Sequence, residues 1–217
     1  MLNETLLKYT LAIESAVGGG SISLQAEEDE VDCWIGDSGV SRAEDLLPNI
    51  IEMLDRRRVD RNMIGRIAIS VGPGSYTGIR IGIAAALGLK SALDIPCVGV
   101  PVLEAMALAS ASVGTVLTVV PMGRRSICFQ TFNVSGDGQA EPASEPVACG
   151  SIDESPSLIT GTQEILVHES LLTDFQNALP DRIVRSIGSN LAKLIGLASI
   201  GREATDAIKP IFLTSTV

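Results

Sequence analysis

Histidine and aromatic side chains are scarce here. Of the 217 residues one is histidine, His168, and Phe, Trp and Tyr together make up 3%. A zinc-peptidase helix needs two histidines one turn apart, and no HExxH occurs, which excludes that class. Ser-His-Asp or Cys-His chemistry would have to run through His168 alone. No GxxxxGK[ST] is present, so the chain is not a P-loop nucleotidase. Charged residues are 19% and apolar residues 46%, a balance that fits neither a disordered chain nor a coiled coil. With few aromatics, the core must be built from Leu, Ile, Val and Ala. The net charge of −10 argues against a protein that grips nucleic acid by itself through counterion release.

Cysteine is sparse as well. Cys33, Cys97, Cys128 and Cys149 are far apart in sequence and form no CxxC. They read as reduced thiols, small buried hydrophobes of a cytoplasmic protein. Glu4, Lys8 and Glu14 interrupt any signal-peptide core near the N-terminus. Residues 105–123 carry no charge, but Gly114 and Pro121 divide them, so a helix end, a turn and a buried strand are expected there rather than a membrane span. Charge is uneven: residues 1–60 sum to −8, residues 61–135 to +4 and residues 136–217 to −6. The mildly basic middle suits an anionic ligand or is an ordinary solvated surface.

What is present is an α/β pattern. Tyr9–Ser15, Ile22–Gln25 and Val31–Ile35 read as a β-meander turning at Gly18-Gly19-Gly20. Ser41 with Glu44 has capping-box spacing and opens a helix over residues 41–58. Its Leu46, Leu47, Ile50, Ile51 and Leu54 form one apolar stripe, and Pro48 is expected to kink it. The continuous apolar run Ile67–Val71 is a strand covered on both faces. A helix over residues 75–92 and a strand Cys97–Val100 follow. Pro101 then leads to a helix from Val102 to Ala111, and strands Val116–Val120 and Ile127–Phe132 come next. Residues 135–157, rich in Gly, Pro, Ser and acids, read as a surface excursion; Ile165–Val167 is a short strand, with helices over 170–178 and 188–200 after it. No repeat of fixed period is visible. The order implies two lobes, 1–104 and a smaller 105–217, hinged between Pro101 and Gly114.

Residues 67–93, IAISVGPGSYTGIRIGIAAALGLKSAL, carry most information. Gly72 and Gly74 permit an unusual turn, and Ser75 or Thr77 can cap the helix after it. Free amides at such a turn favour anions, so Gly72, Gly74, Ser75 and Thr77 form a candidate nucleotide or anion loop. The helix offers another reading. Gly78 and Gly82 lie one turn apart and Ala85 continues the small face. Each mid-helix glycine costs about 1 kcal/mol relative to alanine. Another helix should therefore cover Gly78, Gly82 and Ala85, either within the chain or from a partner. Arg80 points elsewhere on the wheel.

GPGSYTGIRIG at residues 72–82, with IPCVGVPVLEAMA at 95–107 and RAEDLLPNI at 42–50, resembles the bacterial TsaB family. KPIFL at 209–213 resembles that family's terminal P-x-Y-L-R. The resemblance implies an actin-like ATPase fold, related to ribonuclease H, with two lobes of mixed sheet and helices. It implies a non-catalytic scaffold of the tRNA N6-threonylcarbamoyladenosine machinery. Such a subunit docks a TsaD-like enzyme, forms a homodimer when alone, and can join a TsaE-like ATPase in a larger complex. Contact with tRNA is at most indirect, and no membrane is involved. The interface it implies comprises Leu46, Leu47, Ile50, Ile51 and Leu54 on one helix, and Ser75, Tyr76, Gly78, Ile79, Gly82 and Ala85 on the next. No catalytic residue, metal or cofactor is required of this chain. ATP or ADP with magnesium would belong to a partner interface.

Four positions depart from the family pattern. Glu14 stands where an Asp usually ends the first strand, and Arg42 replaces a His. Pro121-Met122-Gly123 replaces an Asp-Ala-Arg run, and Thr214 the terminal Arg. Each removes or displaces a polar group that could meet a nucleotide. An actin-like nucleotide-binding protein or ATPase remains the alternative, and a peptidase using Ser75 or His168 a remote one. Arg56-Arg57-Arg58 reads as the solvated end of the first helix, where cations complement the dipole, or as a contact for an acidic partner or tRNA.

Overall fold

Alternation in the opening strands sorts side chains into two layers. In β1 (Tyr9–Glu14) Leu11 and Ile13 join one buried cluster and Ala12 another. The same rule splits β4 (Ile64–Ser70), with Ile67 and Ile69 on one side and Ala68 on the other. The computed structural model describes residues 8–37, 45–123, 126–150, 161–204 and 207–213.

β2 (Ser21–Ala26), β3 (Asp29–Ile35) and β5 (Cys97–Val100) complete a five-stranded sheet in the order β3-β2-β1-β4-β5. The β1-β2-β3 meander is antiparallel, whereas β4 and β5 run parallel to β1. A second sheet follows the order β11-β10-β6-β7-β8. Its strands are β6 (Gly114–Met122), β7 (Ser126–Val134), β8 (Ala140–Pro142), β10 (Glu164–Val167) and β11 (Val184–Ser186). β9 (Val147–Cys149) also pairs with β7. Here too antiparallel strands stand on one side of the leading strand, and parallel ones on the other. This duplicated mixed sheet is the actin-like ATPase fold that the resemblance implies.

Helices fill the layers between and outside the sheets. α1 (Leu46–Arg57) and α2 (Tyr76–Leu93) cover the outer face of the first sheet over Leu11, Ile13, Ile67 and Ile69. α3 (Val102–Leu108) and α5 (Leu191–Ala198) lie between the sheets. α4 (Leu172–Ala178) covers the far side of the second sheet through Phe175. α5 can approach because the inner row of the first sheet is small: Ser23, Ala12 and Ala68 are neighbours across three strands. Polar groups fix it there. Ala192 N donates to Ser21 Oγ at 2.9 Å, and Gln25 Nε2 donates to Lys193 O at 2.8 Å. The expected lobe boundary at 104 and 105 falls inside α3.

Several expectations are corrected. α1 begins at Leu46, so Pro48 occupies its first turn, where a missing N–H costs nothing and no kink is needed. The proposed cap at Ser41 lies outside the described residues. Within 135–157 the described part contains β8 and β9, and β11 was not foreseen; strands of three residues leave almost no periodicity to read. The uncharged stretch 105–123 is the end of α3, a turn and β6, as expected. Among the described residues no helix is long and apolar enough to cross a membrane.

Candidate functional site

The Gly72–Gly74 turn is folded onto the chain itself. Gly72 has φ +98° and Gly74 φ +159°, where a side chain is strained. A Cβ on Gly74 would come within 2.6 Å of Ala16 O, and one on Gly72 within 2.8 Å of Ile211 O. Ser75 N donates to Ala16 O at 2.7 Å, and Ser75 Oγ caps α2 by accepting from Gly78 N at 3.3 Å. Of the residues proposed for an anion, Ser75 thus has its amide engaged within the chain, and Gly72 N donates to Ser70 Oγ at 3.4 Å. Gly72 and Gly74 are buried, and only Thr77 of that set is exposed.

The small face of α2 is likewise filled from within. Ser15 Oγ donates to Gly78 O at 2.8 Å. A Cβ at Gly78 would lie 2.1 Å from Ser15 O, and one at Gly82 would lie 2.1 Å from Ser15 Oγ. This corrects the expectation that another helix covers Gly78 and Gly82: they receive Ser15, just past the end of β1. The single stripe expected on α1 also divides. Leu46 and Ile50 join Met53 in the core, as does Ile79 of α2, so none of the three predicted residues is available to a visitor.

What faces outward is different. Leu47 is 46% exposed and Ile51 60% on α1, and Tyr76 is 53% exposed at the start of α2. Leu54, Ser75 and Ala85 are half-buried beside them in the helix pair. Two further apolar residues were missed by the sequence reading: Leu87 on α2 and Phe212 in the C-terminal segment. Ile211 N donates to Val71 O at 2.8 Å, which anchors that segment, and the rings of Phe212 and Tyr76 pack tilted at 49° with centroids 4.7 Å apart. The Arg80 guanidinium lies 4.1 Å over the same Tyr76 ring. The apolar run Ile211-Phe212-Leu213 was the available signal for Phe212. α1 is held to the sheet edge by Asp32, which accepts from Arg56 Nε at 3.0 Å and Arg57 Nε at 2.9 Å. Burial alone would raise the Asp32 carboxyl, but these hydrogen bonds outweigh it and hold it at about 2.

Between the lobes, the β1–β2 turn meets the end of β10. Glu14 is 1% exposed. Its Oε1 accepts from Ala16 N at 2.6 Å and Val17 N at 3.0 Å, while Oε2 has no hydrogen-bond partner among the described residues. Burial pushes this carboxyl up to about 8, against the lowering effect of those amides. Across the gap, the His168 ring stands over Gly18; a Cβ there would lie 3.4 Å from its Cε1. His168 is buried, and burial lowers its pKa. Nδ1 accepts from Ser170 N at 3.3 Å and lies 2.8 Å from Ser170 Oγ. Ser75 Oγ and His168 Nδ1 therefore each serve a local cap.

Comparison with known proteins gives relatives of the chain and of its fold. Residues 40–144 match the family described as TsaD, tRNA N6-adenosine threonylcarbamoyltransferase. An uncharacterized protein of Mycobacterium tuberculosis is 30% identical over 125 residues, 57% of each chain. The tRNA threonylcarbamoyladenosine biosynthesis protein TsaB of Escherichia coli is 32% identical over 97 residues, covering 45% of this chain and 42% of that one. The matched region thus spans about half the length of these curated relatives, 57% of the first and 42% of the second. The structure of YeaZ from Pseudomonas aeruginosa superposes with a TM-score of 0.70 at 20% identity, over 95% of this chain and all of that one.

Proposed function

We propose that this chain, which belongs to the TsaB family, serves tRNA threonylcarbamoyladenosine biosynthesis as a non-catalytic subunit that docks a TsaD-like enzyme. The carrying observation is the outward apolar set on the helix pair: Leu47, Ile51, Tyr76 and Leu87, extended by Phe212. Single exposed apolar residues need no explanation, but five from two adjacent helices and one tail make a surface suited to burial by another protein. Tyr76 and Arg80 supply the aromatic and guanidinium groups that anchor such interfaces. The partner is the TsaD-like enzyme because residues 40–144 match that enzyme's family and relatives named for threonylcarbamoyladenosine biosynthesis resemble this chain.

The same face supports a homodimer when the enzyme is absent. Nucleotide is not required in this reading. In the β1–β2 turn the amides of Ala16 and Val17 already bind a carboxylate, that of Glu14, so those two donors are not open to a phosphate. The test is reconstitution of threonylcarbamoyladenosine formation with the TsaD-like enzyme from the same organism. Product should depend on adding this chain, and Ile51→Asp should lose that dependence while melting like the parent. Equal product with and without the chain would refute the proposal.

A further inference from the structure

Away from the helix pair, α3 and α5 converge beside β8 and leave an open-mouthed cavity of about 480 Å³. Pockets of roughly 300–1,000 Å³ hold small molecules, and they concentrate where lobes meet. Ala105 and Leu108 of α3, with Leu194 and Leu197 of α5, form an apolar part of its lining, and Gln139 lines it as well. Two charged groups also line it, Glu104 and Arg202. Arg202 Nη2 donates to Glu104 Oε1 at 2.7 Å, and Arg202 Nε donates to Ala198 O at 2.6 Å. Behind them Arg66 Nη1 donates to Ser199 O at 2.7 Å and fixes the turn from which Arg202 projects. A guanidinium has five N–H groups. These bonds engage two of them, and Glu104 Oε2 accepts none among the described residues. Both side chains are about a quarter exposed, at 29% and 24%, so their spare groups remain reachable.

This combination selects its ligand by charge. A lone anion that reached Arg202 would also meet the Glu104 carboxylate, and a lone cation on Glu104 would meet Arg202. A molecule with both charges on neighbouring atoms, joined to an apolar body, complements the pair and the walls together. We propose that the cavity binds an apolar α-amino acid, its ammonium on Glu104, its carboxylate on Arg202 and its side chain against Leu108, Leu194 and Leu197. The site is independent of the enzyme-docking face, so it stands or falls separately.

Calorimetry and protein NMR of the full chain titrated with L-phenylalanine and L-leucine test this. One saturable site at millimolar ligand is expected, with resonances of Ala105, Leu108 and Ala198 moving most. Octanoate and phenethylamine, each with one charge, should bind at least tenfold more weakly. Arg202→Met and Glu104→Gln should each weaken phenylalanine about tenfold, near 1.4 kcal/mol. Ala109→Leu, which narrows the mouth and leaves the ion pair intact, should weaken binding as well and guards against instability of the charge variants. Absence of saturable amino-acid binding would overturn the proposal. So would octanoate binding as tightly as phenylalanine, or unchanged affinity in Ala109→Leu.

Discussion

Glycines on one helix can serve opposite ends. Gly78 is pressed against the backbone of Ser15, whereas Gly88, three turns on in α2, has nothing within 4 Å of where its Cβ would be. Alanine at Gly78 must displace backbone, and a cost of about 2 kcal/mol or more is expected. Alanine at Gly88 meets open space and should stabilise by about 0.5–1 kcal/mol through helix propensity. Urea denaturation of both variants checks the pair; equal effects would mean that α2 does not lie on Ser15. Spacing alone predicts close approach at Gly78 and Gly82 but does not say to what. The answer depends on where β1 ends, which no local pattern of α2 contains.

Glu14 makes a second residue-scale prediction, on pH. Its folded pKa, about 8, stands above the ordinary value of 4.5. Folding therefore binds a proton more tightly, and this contribution to stability is full below about 4.5 and is lost as pH rises through about 8. His168, lowered by burial, acts with the opposite sign but only below its ordinary value of 6.5. Between pH 6.5 and 8 the Glu14 effect stands alone of these two. Denaturation midpoints of the parent should fall across that window, by up to about 1.4 kcal/mol per pH unit, and Glu14→Gln should flatten the slope. Equal slopes would show that Glu14 is already ionised. The sequence marked Glu14 only as a departure from a family pattern; its turn-capping role needed the geometry of residues 14–17.

At the scale of the element, α1 shows how far periodicity reaches. Leu46, Leu47, Ile50, Ile51 and Leu54 occupy too wide an arc for one contact. The structure assigns Leu46 and Ile50 to the sheet, and Leu47 and Ile51 to the outside. A pattern records that a helix has apolar positions, not which side is covered within the chain. Aspartate at the two neighbours should separate these roles. Ile50→Asp buries a charge and should unfold the chain or cost more than about 3 kcal/mol. Ile51→Asp, on an exposed position, should leave the melting temperature within about 2 °C. Calorimetric melting decides it, and similar losses in both would place Ile51 in the core. The boundaries of α2 and β5 were legible because glycine, proline and a capping Ser75 punctuate them.

For the whole molecule, the strand order of the first sheet recurs in the second, yet no sequence period announces it. The opening meander and the parallel strands β4 and β5 were legible from continuous apolar runs and glycine turns. β8, β9 and β11 were not, because three-residue strands are specified by their neighbours in the sheet rather than by their own pattern. α5 returning to the first sheet was equally hidden, since Ser21 meets Ala192 and Gln25 meets Lys193 across more than 160 residues. The result is a first lobe whose inner face is occupied by α3 and α5, and whose outer helix pair retains exposed apolar side chains. Binding of the TsaD-like enzyme, followed by analytical ultracentrifugation of the two purified proteins, tests that arrangement most directly. The parent should form a heterodimer, and Ile51→Asp and Leu87→Asp should weaken it at least tenfold without unfolding the chain; a heterodimer of unchanged affinity in both variants would contradict the assignment of this face.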